Sequence, residues 1–163
     1  MNVKDVLFLA YKMEKQGKEF YGEQKSKVKL PPLKDLFDHL EKMEQGHALY
    51  LKKQIENLKA NLPLDSLSEG RKQNKFTARM EKQKIEPSNL DADLGDYSIM
   101  RMAYLIEKDF AEFYLKSAES NEGEVNSLLL SLADWEKEHA SMIKGEMEKI
   151  ISRNALDLGF YPL

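Results

Sequence analysis

The chain has 163 residues, of which 33% are charged, and a formal net charge of −3. That balance gives no overall attraction to nucleic acid or to a membrane surface. Because the sequence contains no cysteine, a disulfide framework, a zinc–thiolate site, an iron–sulfur cluster and a cysteine nucleophile are excluded. The length suits one domain. Neither a signal peptide nor a membrane-spanning run is evident, so we expect a cytoplasmic protein.

Hydrophobic periodicity predicts helices along most of the chain. Four segments carry apolar residues at steps of three and four, the spacing of an amphipathic helix. They run approximately over residues 6–21, 33–58, 99–114 and 125–150. In the third segment Met102, Phe110 and Phe113 are placed on the buried face. No window alternates as a strand would, so the predicted fold class is all-α.

Loop-forming residues divide the helices into two pairs. KVKLPP (residues 27–32) separates the first pair, and SNEGE (residues 120–124) separates the second. A polar crossover of about residues 61–97 joins the pairs, and its middle could form a short exposed helix. Asp96 or Ser98 is predicted to cap the third helix. Two short-looped hairpins joined in this way predict a four-helix bundle with one long crossover between helices 2 and 3.

An internal repeat relates the two hairpins. AYKMEKQGKEFY (residues 10–21) and AYLIEKDFAEFY (residues 103–114) share AY, EK and EFY in register. Each copy keeps a glutamate inside its apolar stripe, Glu14 in the first and Glu107 in the second. The bundle is therefore expected to have a pseudo-two-fold axis. It is assigned to residues 1–151, with residues 152–163 as a C-terminal tail that packs on the bundle or at a subunit contact.

The other two helices place a glutamate and a histidine three residues apart on their apolar faces. LEKMEQGHALYL holds one such pair and LADWEKEHASMI the other, and residues at that spacing point in nearly the same direction. The midpoint of each glutamate pair falls in its hairpin loop, so the partners should lie level with each other. We therefore expect one buried cluster of six residues: Glu14, Glu44, His47, Glu107, Glu136 and His139.

Four buried carboxylates need compensating charge. Unpaired buried charges cost several kcal/mol, and like charges raise each other's pKa. Two divalent cations would balance four carboxylates, and ligands of oxygen and imidazole nitrogen suit iron or manganese. One glutamate from each of two helices with Glu-x-x-His from each of the other two is the ligand plan of ferritin-like di-metal proteins. The bundle is accordingly predicted to be ferritin-like.

These motifs resemble those of the rubrerythrin family: E-x-x-G-x-x-F-Y, the two copies of L-x-x-x-E-x-x-H, and E-x-x-x-x-x-F-Y. The resemblance implies a site for two iron ions per chain, with manganese or a mixed pair suiting the same ligands. It implies that all six residues of the cluster are ligands and that Glu44 and Glu136 bridge the metals. Tyr21 and Tyr114 match tyrosines near the di-iron site, although they could equally be ordinary core aromatics.

The sequence departs from the rubrerythrin pattern in two ways. Phe110 occupies the position of an additional glutamate that rubrerythrins commonly carry, which brings the ligand set closer to that of bacterioferritin-type centres and weakens the peroxidase assignment. No cysteine is present to hold the iron of a rubredoxin-like domain. Any reductase cycle would therefore need an external electron donor, such as a rubredoxin-like protein.

The resemblance leaves three functions open. The first is a di-iron oxidoreductase that reduces hydrogen peroxide or dioxygen. The second is a ferroxidase or iron-handling protein, and the third is a metal-stabilised structural or partner-binding bundle. A homo-oligomer is expected, with a dimer favoured, and neither nucleic acid nor a membrane is expected as a partner.

His39 is interpreted as a partly exposed residue off the ligand face. The basic stretch at residues 70–84 is interpreted as a solvated crossover or, less favoured, as a docking surface for an acidic redox partner.

Overall fold

The computed structural model describes residues 2–65 and 89–155, and within these ranges the chain forms α-helices and no strand. The helices are α1 (Val3–Gln24), α2 (Pro31–Lys59), α3 (Leu90–Glu119) and α4 (Gly123–Arg153). α1 packs along α2, α3 packs along α4, and α1 contacts α3. The predicted ferritin-like four-helix bundle is confirmed, and its long connection lies between α2 and α3. The predicted short helix and basic stretch of this connection fall at residues 66–88, outside the described residues.

Local sequence explains where the helices begin. The Asn2 side chain accepts a hydrogen bond from the N–H of Asp5 at 2.9 Å, which caps α1. α2 begins with Pro31 and Pro32, whose fixed φ suits a first helical turn. α4 begins at Gly123, whose φ of 62° is a conformation that glycine adopts without steric cost. In the described ranges no helix is long and apolar enough to cross a membrane.

The start of α3 differs from the sequence prediction. The helix begins at Leu90 and is capped by Asn89, which accepts a hydrogen bond from the N–H of Ala92 at 3.3 Å. The prediction that Asp96 or Ser98 caps this helix was wrong, because both residues lie inside it. Asp96 is 1% exposed and serves another purpose. Its carboxylate accepts hydrogen bonds from the backbone N–H groups of Lys29 and Leu30 at 2.8–2.9 Å.

Replacing Asp96 with alanine should therefore destabilise the fold. The change removes the acceptor for two partly buried backbone N–H groups in the α1–α2 loop, and water replaces it only in part. A lost hydrogen bond to a charged group costs about 1.5–3 kcal/mol, so we expect a loss of about 1–3 kcal/mol in the free energy of unfolding, measured by urea denaturation. Ser98→Ala is the matched control, since the Ser98 hydroxyl is exposed and donates a hydrogen bond to the carbonyl of Leu94 in its own helix. Equal effects of the two substitutions would contradict this role of Asp96.

A second buried aspartate holds the end of α4. Asp93 is 1% exposed and accepts hydrogen bonds from the guanidinium of Arg153 and from the Asn154 side chain, the latter at 2.7 Å. Burial acts to raise the pKa of Asp93, but Arg153 and Asn154 outweigh burial and lower it. α4 thus continues to Arg153, slightly beyond the predicted boundary at residue 151. Residues 156–163 of the predicted tail lie outside the described residues.

The core consists of two apolar clusters with a polar layer between them. The Tyr114 cluster contains Val6, Leu7, Ala10, Leu51, Ile55, Tyr114, Ala118, Leu128, Leu129, Leu132 and Ala133. The Tyr21 cluster contains Tyr21, Val28, Leu33, Leu36, Phe37, Leu40, Met100, Ala103, Ile143 and Ile150. Every helix runs from one cluster to the other. Between them each helix contributes one or two of the six predicted glutamates and histidines, which form the polar layer.

The buried face of α3 is rotated from the predicted one. Met100 is fully buried, whereas Met102, which was predicted to face the core, is 54% exposed. Phe110 and Phe113 are half-buried at the edge of the Tyr114 cluster. The buried face follows Met100, Ala103, Glu107, Ala111, Tyr114 and Ala118. Three of these positions are alanines, and the larger apolar side chains elsewhere on α3 obscured this buried face in the sequence.

Candidate metal centre

All six predicted ligands are buried and lie together at mid-height in the bundle. The exposed fraction of each residue is at most 4%. Their side-chain oxygen and nitrogen atoms form two compact groups of four residues, and within each group one atom from every residue lies within 4.8 Å of the others. The groups are Glu14, Glu44, His47 and Glu136, and Glu44, Glu107, Glu136 and His139. Glu44 and Glu136 belong to both groups, as expected of residues placed between two metal ions.

The first group is centred on the His47 imidazole. Its Nδ1 lies 3.1 Å from Glu14 Oε2, 3.5 Å from Glu136 Oε1 and 4.0 Å from Glu44 Oε2. These three carboxylates come from α1, α4 and α2. One imidazole nitrogen therefore faces an oxygen atom from each of three helices.

The second group repeats this arrangement around His139. Its Nδ1 lies 2.9 Å from Glu44 Oε1, 3.3 Å from Glu136 Oε2 and 3.4 Å from Glu107 Oε2. Despite the short distances, this nitrogen has no partner that meets the geometry of a hydrogen bond among the described residues. Such geometry arises when four atoms face a common point between them instead of facing one another. A cation at that point would interact with all four.

The carboxylates at the centre of the layer lack protein partners. Both oxygens of Glu44 and of Glu136 are buried without a hydrogen bond from any described residue, as is Glu107 Oε2. Each buried unsatisfied group costs about 1–3 kcal/mol, and buried polar groups are normally satisfied. Burial raises the pKa of Glu44 and of Glu136, and the neighbouring carboxylates raise it further. The donor set thus fits two divalent cations, which would supply the missing partners and charge.

The outer two carboxylates behave differently. Burial acts to raise the pKa of Glu14 and of Glu107, but neighbouring imidazoles outweigh it and lower both values. His47 has this effect on Glu14, and His139 has it on Glu107. At His139 burial acts to lower the pKa, while the charges of Glu136 and Glu107 raise it well above its usual value. Each outer glutamate is consequently paired with one histidine, and the two inner glutamates are shared.

Two tyrosines close the polar layer from opposite sides. The Tyr21 hydroxyl donates a hydrogen bond to Glu107 Oε1, and the Tyr114 hydroxyl donates one to Glu14 Oε1. Both rings are fully buried. Burial and then the partner glutamate raise the pKa of each phenol well above its usual value. Both tyrosines therefore remain donors, and each holds a glutamate that belongs to the opposite hairpin.

Sequence reasoning missed the role of Gly17 in positioning Glu44. A Cβ atom at Gly17 would lie 3.1 Å from Glu44 Oε2 and 3.3 Å from Glu44 Cδ. The missing side chain thus leaves the room that a shared glutamate occupies between α1 and α2. The sequence signal was the glycine within an apolar stripe, since a glycine in a helix interior weakens the helix and needs a packing reason.

Gly17→Ala is therefore expected to weaken metal binding without weakening the helix. Alanine improves helix propensity by about 0.5–1 kcal/mol, but its methyl group displaces the Glu44 carboxylate by a few tenths of an ångström. We expect about a tenfold loss of iron affinity, of the order found when a group that orients a ligand is changed. Gly46→Ala is the control, because a Cβ at exposed Gly46 meets nothing within 4 Å. Loss of affinity in that variant, or none in Gly17→Ala, would contradict the steric argument.

Trp135 also contacts the site, although the sequence indicated only a core residue. Its ring stacks on His47 with centroids 4.4 Å apart and an interplanar angle of 15°. His47 in turn stacks on His139 with centroids 5.3 Å apart. His39, as expected, is half-buried and outside both groups. Alignment of the two Glu-x-x-His segments places Trp135 opposite Met43, and this asymmetry was the available signal.

Comparison with known proteins agrees with this geometry. The family model described as rubrerythrin matches residues 5–147. No curated protein matches the chain. A solved structure of a hypothetical protein from Pyrococcus furiosus is 24% identical, with a TM-score of 0.67 over 93% of this chain and 92% of that one. At that identity the structural match shows the fold alone. The family match, which covers most of the chain, shows that this protein belongs to the rubrerythrin family.

Proposed function

We propose that the chain is a di-iron oxidoreductase that reduces hydrogen peroxide, or dioxygen, with electrons from an external donor. The observation that carries the proposal is the pair of four-residue groups that share Glu44 and Glu136. Two bound iron ions would supply two electrons to a small oxidant. His47 and Glu14 would hold one ion and His139 and Glu107 the other, while Glu44 and Glu136 would contact both.

The surrounding residues support such a reaction. Tyr21 and Tyr114 fix the outer glutamates by hydrogen bonding, which orients the ligands and tunes their basicity. The two apolar clusters border the polar layer and would exclude large substrates. Glu44 and Glu136 make no competing hydrogen bond with described residues. Each carboxylate could therefore change the way it contacts a cation without breaking a hydrogen bond to the protein.

A ferroxidase is the second candidate, favoured by one observation. Phe110, which stands where rubrerythrins commonly have an additional glutamate, is half-buried against the Tyr114 cluster and outside both ligand groups. The remaining six-residue set is symmetrical and resembles that of bacterioferritin-type centres. In this case Fe(II) would be the substrate as well as the occupant of the site.

The partners are proposed on the same basis. A small oxidant would reach the polar layer, and a rubredoxin-like or other one-electron donor would return the electrons. Iron is the proposed metal, and manganese or a mixed pair would suit the same oxygen and nitrogen ligands. We further propose a homo-oligomer, with a dimer as the favoured form.

Rapid mixing of the anaerobically Fe(II)-loaded protein with peroxide and, separately, with oxygen tests the proposal. Binding of two ions per chain and much faster oxidation by peroxide would support the peroxidase. Oxidation by oxygen at an equal or greater rate, with uptake of many ions per chain, would favour the ferroxidase. The double variant Glu44→Ala/His139→Ala is the inactive control. Metal-dependent stabilisation without oxidation of any donor would leave only a metal-stabilised structural bundle.

A further inference from the structure

A series of aromatic rings leads from the proposed site toward the surface. Trp135 stacks on His47 at a centroid distance of 4.4 Å. Tyr50 meets Trp135 edge-on, with centroids 6.3 Å apart and an interplanar angle of 70°. The Tyr50 hydroxyl donates a hydrogen bond to the backbone carbonyl of Asp65 at 2.7 Å. Because Trp135 and Tyr50 are only partly buried, the series connects a proposed ligand with solvent.

Within the described ranges, the series lies on one side of the pseudo-two-fold relation between the hairpins. Alignment of LEKMEQGHALYL with LADWEKEHASMI places Met43 opposite Trp135 and Met142 opposite Tyr50. Methionine therefore fills the equivalent positions beside the other Glu-x-x-His pair. Packing alone does not require an aromatic pair in this repeat, so the pair on the His47 side calls for a different explanation.

Indole and phenol are the side chains that most readily lose one electron and regain it reversibly. Rings in van der Waals contact couple well enough for an electron to pass between them, and stacked or edge-on pairs are favourable arrangements. Tyr21 and Tyr114 also lie beside the proposed site, but both are fully buried and bonded to its glutamates. Among the tyrosines that the structure describes, Tyr50 leads away from the site and is joined to it through another aromatic ring.

We propose that Trp135 and Tyr50 form a one-electron relay. The relay removes an oxidising equivalent from the metal centre when peroxide reacts with a centre that can supply only one electron. This inference rests on the proposed di-iron function. Hydrogen peroxide takes up two electrons and two protons to give two water molecules. A single bound Fe(II) would supply one of these electrons, being oxidised to Fe(III), and Trp135 would supply the second.

Tyr50 then returns an electron to Trp135 and releases its phenolic proton to solvent, which supplies both protons for the two waters. The oxidising equivalent now resides on Tyr50 as a neutral phenoxyl radical. A one-electron reductant in solution, such as ascorbate, restores the phenol by giving one electron, and solvent gives one proton. The relay would thereby spare His47 and the four glutamates from oxidation during incomplete turnover.

Electron paramagnetic resonance of the full-length chain tests this relay. The protein is loaded anaerobically with one Fe(II) per chain, mixed with peroxide and frozen within milliseconds to seconds. We expect an organic radical whose signal changes when the protein is made with ring-deuterated tyrosine. Tyr50→Phe should replace the tyrosyl signal with a tryptophan signal. Trp135→Phe, which keeps a ring for stacking, should lower the tyrosyl signal at least tenfold, and Trp135→Tyr should restore a radical. Tyr104→Phe is the control and should leave the signal unchanged, because Tyr104 packs against the Tyr21 cluster, whereas Trp135 and Tyr50 pack against the Tyr114 cluster.

The possible results separate the relay from the proposed function. A full tyrosyl signal in Trp135→Phe, or a signal removed by Tyr114→Phe but not by Tyr50→Phe, would overturn the relay. So would rapid oxidation of the iron by peroxide with no radical on Tyr50 or Trp135, although the di-iron function would then stand. If the chain binds no iron, both proposals fail. Mass spectrometry after repeated peroxide additions gives a second readout, with oxidation expected at Trp135 and Tyr50 before His47.

Discussion

Replacing Glu44 with glutamine is expected to abolish metal binding at both proposed positions, whereas His47→Ala or His139→Ala is expected to affect mainly one. Glu44 contributes an oxygen to both four-residue groups, whereas each four-residue group contains only one of the two histidines. Glutamine matches the size of glutamate but lacks its charge and its second oxygen. We expect an affinity loss of more than about 100-fold, since even groups that only orient a ligand contribute about 10- to 100-fold.

The measurement is iron per chain after anaerobic loading and gel filtration, with affinities from calorimetric titration. Glu146→Gln is the matched control. Glu146 is a buried glutamate on α4, 8% exposed, paired with Lys149 at 2.6 Å and outside both groups. If Glu44→Gln retains two tightly bound ions, or if Glu146→Gln loses them, the assignment of Glu44 as a shared ligand is wrong.

The ligand cluster was predictable because several independent sequence features agreed. The repeat placed Glu14 and Glu107 at equivalent positions, and the three-residue spacing placed each histidine beside its glutamate. The position of each hairpin loop midway between two glutamates then predicted that those glutamates lie at the same height in the bundle. These features depend on helix geometry, which is nearly invariant. The structure places all six residues in one buried layer.

Contacts between helices were less predictable. Tyr21 shares the face of Glu14 on α1, yet its hydroxyl reaches across to Glu107 on α3. Which glutamate a tyrosine contacts depends on the separation and rotation of two helices, and helical periodicity gives neither. The same limit explains why the contacts of Asp96 were not predicted. An aspartate near a helix start suggested a cap, whereas its partners are backbone groups of a loop distant in sequence.

The pH dependence of stability is expected to differ between the metal-free and the metal-bound protein. In the metal-free protein, burial and neighbouring carboxylates raise the pKa of Glu44 and of Glu136 well above the usual 4.5. A raised folded pKa means that stability is fully present below 4.5 and is lost as pH rises through the folded value. His139 acts in the same direction, because its pKa is also raised, from 6.5. Glu14 and Glu107 have lowered values and lose stability only as pH falls below 4.5.

Above pH 4.5 the metal-free protein should therefore become less stable as pH rises, by about 1.4 kcal/mol per pH unit for each group still titrating. Metal binding requires deprotonated carboxylates and neutral imidazoles, so metal affinity should rise over the same range. At a free metal concentration of 100 times Kd, binding would add about 2.7 kcal/mol of stability. The stability difference between the metal-bound and metal-free forms should consequently widen toward alkaline pH.

Urea denaturation from pH 5 to pH 9, with chelator and with excess manganese, measures this difference; manganese avoids the oxidation chemistry of iron. Glu44→Gln provides the internal test, because it removes both a buried acid and a proposed ligand. Its metal-free form should show a shallower loss of stability with pH and should equal or exceed the wild type in stability at high pH. Added manganese should stabilise it little. Two results would contradict the metal site: a metal-free wild-type protein that becomes more stable from pH 5 to pH 9, or a wild-type protein whose stability does not change when manganese is added. Either result would show that groups within the chain compensate the charge of the four buried glutamates.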